Sequence, residues 1–358
     1  MRQLTVLSVA YSLTTVEPGS VGGAEQVLGE LDRAIVARGH RSIVVACEGS
    51  QVAGELCATP ATRGPVTPES YAAAHSAHRR AIAEALARWP VDVVHMHGMD
   101  FHRYLPPPGV PTLVTLHLPP SWYAPEVFAL ERPDTHLHCV SASQRRDCPA
   151  GARLLSTIEN GVSVDHRAER VPMRDDVVAL GRICPEKGFH LALDAARLAR
   201  VTMHLAGRVF EYPEHRRYYH EEIRPRLDRA RRFVGPVRGA VKWWLLSGAR
   251  CVLVPSLVPE TSCLVAMEAL ASGTPVVAFP CGALAEIVEP GVTGFLVRDV
   301  AEMAEAIAAA RELDRDTCRR VARARYTAAR MTSRYLARYQ ALAGMSAARR
   351  LEARDVAA

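Results

Sequence analysis

The stretch Val258–Ala278, VPETSCLVAMEALASGTPVVA, carries two carboxylates, Glu260 and Glu268, around a run of small and apolar residues. The apolar run Cys251–Val254 before it reads as a buried strand, broken by Pro255-Ser256. Glu260 then falls in the loop at the carboxyl end of that strand. The backbone N–H groups of Thr261, Ser262, Cys263 and Leu264 open the helix that follows. A helix N-terminus presents unpaired N–H donors and a partial positive charge, a natural seat for phosphate. Glu268 lies one turn in, at i+4 from Leu264, where it can accept hydrogen bonds from vicinal hydroxyls. A phosphate between two hydroxyl-reading carboxylates suits a sugar on one side and a ribose on the other. The plainer alternative makes Glu260 a helix cap and Glu268 a solvent-facing helix residue.

A second group lies in ALGRICPEKGFHLAL, Ala179–Leu193. A strand ends at Gly181, and Arg182 and Lys187 flank the turn before a helix that opens at Gly188. Two cations at a strand's carboxyl edge can neutralise a diphosphate leaving group without a metal. Their plainer reading is surface charge on a turn, with Glu186 pairing locally. A third group, EPGSVGGAEQVLGEL, places Gly22 and Gly23 at a helix start, where backbone can approach a ligand closely. It is not GxGxxG, so a nicotinamide cofactor has little support.

Histidines gather at strand ends: His95 and His97 in DVVHMHG, His117 in LVTLHLPP. Three histidines could suggest a metal, but Asp92 and Asp100 are poorly placed as further ligands. A structural role for His95 and a substrate contact for His117 fit better. The single DxD, Asp314-Arg315-Asp316, has no strand before it and reads as a helix cap. No GxSxG nucleophile motif is present.

Positioning these groups requires strands and helices in alternation. Strand patterns cover Leu4–Ala10, Ser42–Cys47, Val91–His95, Thr112–Leu116, Leu137–Ser141 and Leu154–Ile158, then Val177–Leu180, Thr202–Ala206, Arg232–Val234, Cys251–Val254 and Pro275–Ala278. Helical patterns include Gly23–Arg38, Ser70–Arg88, Gly188–Ala199, Val241–Ser247, Leu264–Ala271 and Val300–Glu312. Near-continuous Val/Leu/Ile strands between helices predict parallel strands covered on both faces, an α/β doubly wound pattern that occurs twice. Ligands would bind at the carboxyl ends of the two sheets, in the cleft between domains. The linker falls in Glu159–Asp176, dividing the chain into domains 1–165 and 166–329. The last helical pattern, Met331–Gly344, has an apolar stripe of Tyr335, Leu336, Tyr339 and Leu342 that needs a partner; 346–358 reads as a tail. The segment Leu118–Leu130, with Trp122, Tyr123 and Phe128, is either an acceptor platform or a packed loop.

Bulk properties narrow the class. The 358 residues suffice for two ordinary domains. Hydrophobic content of 49% and charged content of 23% mark a globular chain. No apolar run is long enough to span a membrane, and the N-terminal run alternates like a strand instead of a signal peptide. Nine scattered cysteines without CxxC spacing suit reduced thiols in the cytoplasm. The net charge is +6, with arginines dense at Arg216–Arg232 and from Arg319 onward, giving either a solvated face or attraction to an anionic substrate or to anionic lipid at the inner membrane surface. Basic residues are not interleaved with aromatics, so nucleic acid is not expected.

These motifs resemble the signature of retaining GT-B glycosyltransferases of family 4. VPETSCLVAMEALASGTPVVA with GALAEIVEPGVTGFLV carries the family's paired glutamates, Glu260 and Glu268, and GRICPEKG its Arg and Lys, here Arg182 and Lys187. GGAE, DVVHMHG, the TLH ending in His117 and ENGV at Asn160 follow in the family's order. The resemblance implies a C-terminal domain that holds a nucleoside-diphosphate sugar, such as a UDP- or GDP-sugar. Glu268 would bind the ribose, Glu260 the transferred sugar, and the N–H groups of Cys263, Leu264 and Val265 the phosphates. Arg182 and Lys187 would stabilise the leaving diphosphate, while His117 and the Gly22–Gly23 loop approach from the N-terminal domain. That domain would also take a hydroxyl acceptor (glycan, lipid or secondary metabolite), and the helix 330–345 would cross back onto it. Transfer would retain anomeric configuration with no metal or cofactor. Cys263 departs from the family's usual Gly and Ser262 from its frequent aromatic, which leaves the donor sugar open. The alternatives are a non-catalytic sugar-nucleotide-binding protein or a sugar-nucleotide epimerase on the same fold.

Overall fold

The computed structural model describes residues 2–20, 22–62, 64, 66–164 and 171–357, with side chains to Met345. The chain divides into two compact units, Met1–Glu159 with Ala329–Ala358, and Asn160–Ala328. The boundary drawn from sequence at 165/166 lies outside the described residues.

The first unit runs β1 (Thr5–Val9), α1 (Gly23–Ala37), β2 (Arg41–Cys47), β3 (Glu55–Thr59), α2 (Pro68–Arg88), β4 (Val93–Met96), β5 (Thr112–Leu116), β6 (Thr135–Cys139) and α3 (Ala142–Arg146). Its strands are all parallel, in the order β3-β2-β1-β4-β5-β6. The chain winds outward from β1 in one direction and from β4 in the other, so the loops after these two strands part at a switch point. Strands β1, β2, β4 and β5 are buried almost throughout, as their Val/Leu/Ile runs require. The edge strand β3, ELCAT, is mostly exposed, which is why it carries no apolar run. Leu154–Ile158 is not a strand. Leu154 makes one isolated bridge to Leu137, and the segment only lies alongside β6, through Leu155 N–H to Leu137 O and Ile158 N–H to Cys139 O.

The second unit runs β7 (Asp176–Arg182), α4 (Phe189–Leu198), β8 (Thr202–Arg208), α5 (Pro213–Tyr218), β9 (Arg231–Gly235), α6 (Gly239–Gly248), β10 (Cys251–Val254), α7 (Leu264–Ala271), β11 (Val276–Ala278), α8 (Leu284–Ile287), β12 (Gly294–Leu296), α9 (Val300–Ala309) and α10 (Arg315–Arg325). The sheet is again parallel, in the order β12-β11-β10-β7-β8-β9. Its switch point lies between β7 and β10. β7 ends in Arg182 and the turn after it carries Lys187, while the loop after β10 carries Glu260. Asp314 caps α10, accepting from the N–H groups of Asp316 and Thr317 at 3.0 and 3.1 Å, so the DxD is a helix start.

The chain ends in α11 (Ala328–Ala357), which continues through the residues read as a tail. Its stripe Tyr335, Leu336, Tyr339 and Leu342 is buried. The Tyr335 hydroxyl meets Thr115 Oγ1 at 3.1 Å and the Tyr339 hydroxyl meets His95 Nδ1 at 2.7 Å, so α11 packs on β4 and β5.

The arginine-rich segments carry their own counter-charges. Arg216 pairs with Glu211, Arg226 with Asp194 and Glu222, Arg231 with Asp228, Arg319 with Asp316 and Arg325 with Glu289. Among the described residues no helix is long and apolar enough to cross a membrane. All nine cysteines are free thiols.

Candidate functional site

At the switch point of the second sheet two strand-end turns are pressed together. Gly188, at the end of the turn after β7, has φ +61°, and a Cβ there would stand 2.2 Å from the Pro255 carbonyl oxygen. Only glycine allows that approach, and Leu257 N–H closes it by donating to Glu186 O at 2.8 Å. Lys187 Nζ is thereby brought to Glu260 and donates to Oε1 at 2.5 Å, while Ser256 Oγ donates to the same oxygen at 2.5 Å. The backbone of Glu260 is held from its other side. Gly282, φ +63°, sits so close that a Cβ would lie 2.3 Å from Glu260 O, and Ala283 N–H donates to that oxygen at 2.7 Å.

The charges in this pair reinforce each other. Burial alone would push the Glu260 carboxyl up, but Lys187, Ser256 and Arg182 outweigh it and hold the carboxyl below its ordinary range. Burial likewise opposes the Lys187 charge, yet the Glu260 carboxylate keeps the ammonium above its ordinary value. Both groups are therefore ionised near neutral pH.

Glu260 does not cap α7. The N-cap is Cys263, in the left-handed region at φ 49°, ψ 69°, with no side-chain cap bond. Its carbonyl accepts from Ala266 and Met267 N–H at 3.0 and 3.3 Å, which leaves Leu264 and Val265 N–H as first-turn donors with no carbonyl in the helix. A non-glycine residue in this region costs about 1 kcal/mol or more. The left-handed backbone gives a physical reason for the glycine that similar motifs carry here. Ser262 is buried with its hydroxyl unpartnered, and Thr261 is half-buried.

Glu268 is also not solvent-facing: only 8% of it is exposed. Its Oε1 accepts from Lys242 Nζ of α6 at 2.5 Å, and its Oε2 is buried with no hydrogen-bond partner. Burial raises its carboxyl pKa, with Lys242 opposing the rise. A carboxylate has about four acceptor sites, so the free oxygen can take hydroxyl donors directly.

The remaining candidates belong to the first unit. His117, just past β5, stacks on His97 with ring centroids 5.2 Å apart, and its Nε2 lies 3.0 Å from His97 Nδ1. Burial pushes His117 down to about 3, helped by His138, so the ring is neutral. His95 is buried and structural, with Nδ1 on Tyr339 and Nε2 on Thr115 Oγ1 at 2.7 Å each. Gly22 is the N-cap of α1, and the space beside it is taken by the chain's own Glu25. A Cβ would lie 1.8 Å from that carboxylate, whose other oxygen accepts from Thr14 Oγ1 at 2.8 Å. The helix end beside Gly22–Gly23 thus already faces a negative charge. In Leu118–Leu130, Tyr123 and Val127 are core residues while Trp122 is 38% exposed, so the segment is a packed loop with one outward aromatic.

The motifs did not disclose Lys242, Ser256 or Gly282, which hold the two glutamates. Lys242 had one signal, a lone cation in the apolar helix VKWWLL. Ser256 and Gly282 look like ordinary turn residues until the topology brings them to Glu260.

Residues 21–166 match the family model described as Glycosyltransferase Family 4, and residues 174–312 match that described as Glycosyl transferases group 1. The D-inositol 3-phosphate glycosyltransferase of Kribbella flavida is 37% identical over 161 residues, which is 39% of this chain and 36% of that protein. The glycogen synthase of Mycobacterium tuberculosis is 30% identical over 278 residues, 68% of this chain and 65% of that one. The chain thus spans less than two thirds of the length of either relative. Among solved structures, Anabaena Alr3699/HepE in complex with UDP and glucose shares the fold with a TM-score of 0.71 at 19% identity, over 94% of this chain and 100% of that one. With one model on each half and two doubly wound parallel sheets of the GT-B type, the chain belongs to the group 1 glycosyl transferases of glycosyltransferase family 4.

Proposed function

We propose that this protein is a glycosyltransferase that moves a sugar from a nucleoside-diphosphate sugar to a hydroxyl acceptor, with retention and without a metal. The observation that carries the reading is the pair of buried glutamates around the α7 N-terminus, one charge-paired on Lys187 and one with an unpartnered inner oxygen. Glu268 Oε2 would accept the ribose hydroxyls. The N–H groups of Cys263 at the N-cap and of Leu264 and Val265 in the first turn would receive the phosphates. Arg182 and Lys187 would offset the charge that grows on the diphosphate as the glycosidic bond breaks, the role a metal plays elsewhere. Glu260, held ionised and rigid, would orient the transferred sugar and lower the energy of positive charge at its anomeric carbon. In the first unit we assign His117 and the Gly22–Gly23 turn to the sugar and acceptor; neutral His117 would accept or donate a single hydrogen bond. The acceptor is a glycan, lipid or secondary metabolite hydroxyl.

UDP is the first nucleotide to try, because the Anabaena protein of the same fold was solved with it. Thermal stabilisation is measured with UDP, GDP, ADP, dTDP and CDP, their sugars and NAD, all in EDTA. Saturation a hundredfold above Kd adds about 2.7 kcal/mol to the folded state. Stabilisation by one nucleoside diphosphate, followed by an acceptor-dependent product whose anomeric configuration matches the donor, is the expected result. Donor converted without acceptor would make the protein an epimerase, and stabilisation by NAD alone would overturn the reading.

A further inference from the structure

We propose that Cys184, Glu186 and His215 form a binding site for one thiophilic divalent cation, with zinc as its natural class. The three come from two elements. Cys184 and Glu186 lie in the turn after β7, and His215 sits on α5, so the site exists only in the folded unit. One ligand atom from each, a thiol sulfur, a carboxylate oxygen and a ring nitrogen, lies within 4.8 Å of the others.

Tetrahedral zinc holds sulfur at about 2.3 Å and nitrogen or oxygen at about 2.0–2.2 Å. Side-chain rotations of an ångström or so would close the set around one ion. A thiolate, a carboxylate and an imidazole are the donors that zinc prefers over calcium or magnesium. Their two negative charges balance the dication once the thiol proton has left to solvent. Three protein ligands leave one position of a tetrahedron open.

A second observation points the same way. His215 is 9% exposed and its Nδ1 is buried with no hydrogen-bond partner, a cost that a purely structural histidine normally avoids. Its ring is fixed by edge contacts with Tyr212 and Phe210, at centroid distances of 5.1 and 6.3 Å, so it is already oriented. Cys184 is buried, and its thiol reaches the Arg182 carbonyl at a weak 3.5 Å and the Glu186 carboxylate. Arg182 lies close enough to repel a bare cation, which favours a site that needs both anionic ligands. The proposal stands independently of the glycosyltransferase reading, and no step of sugar transfer runs through the ion.

The test uses the full-length reduced protein and cobalt(II) as a visible stand-in for zinc. Wild type should take up one cobalt per chain with a thiolate-to-cobalt charge-transfer band and tetrahedral visible absorption, both erased by one equivalent of zinc. Cys184→Ser should abolish the charge-transfer band. His215→Ala should keep the fold, read by far-ultraviolet circular dichroism, and weaken cobalt binding by roughly 10- to 100-fold or more. Cys148→Ser, which alters a thiol elsewhere, should bind as wild type. The proposal is overturned if wild type shows no charge-transfer band, if the band survives Cys184→Ser, or if His215→Ala binds cobalt as tightly as wild type. Should Cys184→Ser not fold, the His215→Ala titration decides alone.

Discussion

Glu260 and Glu268 lie eight positions apart on either side of one helix N-terminus, and both are about nine-tenths buried as side chains. Their surroundings differ. Glu260 Oε1 receives a lysine and a serine, its backbone is clamped by Gly282 and Ala283, and its carboxyl is pulled below its ordinary value. Glu268 receives one lysine, keeps an inner oxygen unpartnered, and is pushed above its ordinary value. A buried carboxylate oxygen without a partner is costly, and that cost is the ground on which we propose Glu268 as the residue that accepts hydroxyl donors. Glu260 is already charge-paired by its own protein, whereas Glu268 keeps one buried oxygen without a partner, the basis of its proposed contact with the ribose.

The largest effect should come from breaking the satisfied side. Lys187→Ala leaves Glu260 buried without its cation, and losing one partner of a buried pair costs roughly 3–5 kcal/mol. We expect the low end, since 24% of the Lys187 side chain is exposed, and a denaturant midpoint measures it. A loss under about 1 kcal/mol would mean that the pair does not anchor the turn. Next in size, Glu268→Gln should weaken nucleoside-diphosphate binding by roughly 10- to 100-fold, the value of one or two hydrogen bonds to a charged group. Calorimetric titration reads that directly, and unchanged affinity would remove Glu268 from the site.

The third effect separates the pair by pH. Glu260, with a depressed folded value, contributes stability that is complete above about 4.5 and is lost as pH falls through its folded value. Glu268, with a raised folded value, works in reverse: ionising it costs stability, and the cost fades as pH falls through that value toward 4.5. Subtracting the pH profile of Glu268→Gln from wild type should leave a difference that turns in favour of wild type as pH falls toward 4.5. A flat difference would mean the two carboxyls titrate alike. Smallest of all, Cys263→Gly relieves a left-handed cysteine at the cost of a more flexible unfolded chain, so its melting free energy should stay within about 0.5 kcal/mol of wild type or rise. Gly188→Ala, at a similar φ but against Pro255 O, should lose clearly more.

Much of the frame is legible in the sequence because parallel strands buried on both faces leave continuous apolar runs. Thr112–Leu116, Cys251–Val254 and α7 have the observed bounds. The edges are not legible in the same way. The strand β3 is half-solvated and β12 has three residues, so neither yields a run, while Leu154–Ile158 has the composition of a strand but no ladder to join. The same division holds at the site. The spacing of Glu260 and Glu268 in a loop-to-helix junction shows directly in the chain. Lys242 and Gly282 do not, because they reach the glutamates from positions 26 and 22 residues away, through the order of strands in the sheet.

The proposed contact between the unpartnered oxygen of Glu268 and the ribose of the donor comes down to one comparison. It is tested most directly by calorimetric titration of wild type and Glu268→Gln with UDP and with 2′-deoxy-UDP, in EDTA, or with the corresponding pair if another base binds. Wild type should prefer the ribonucleotide by about tenfold or more, and the preference should collapse in Glu268→Gln. Equal affinity of wild type for the two nucleotides, or a ribose preference that survives Glu268→Gln, would contradict it.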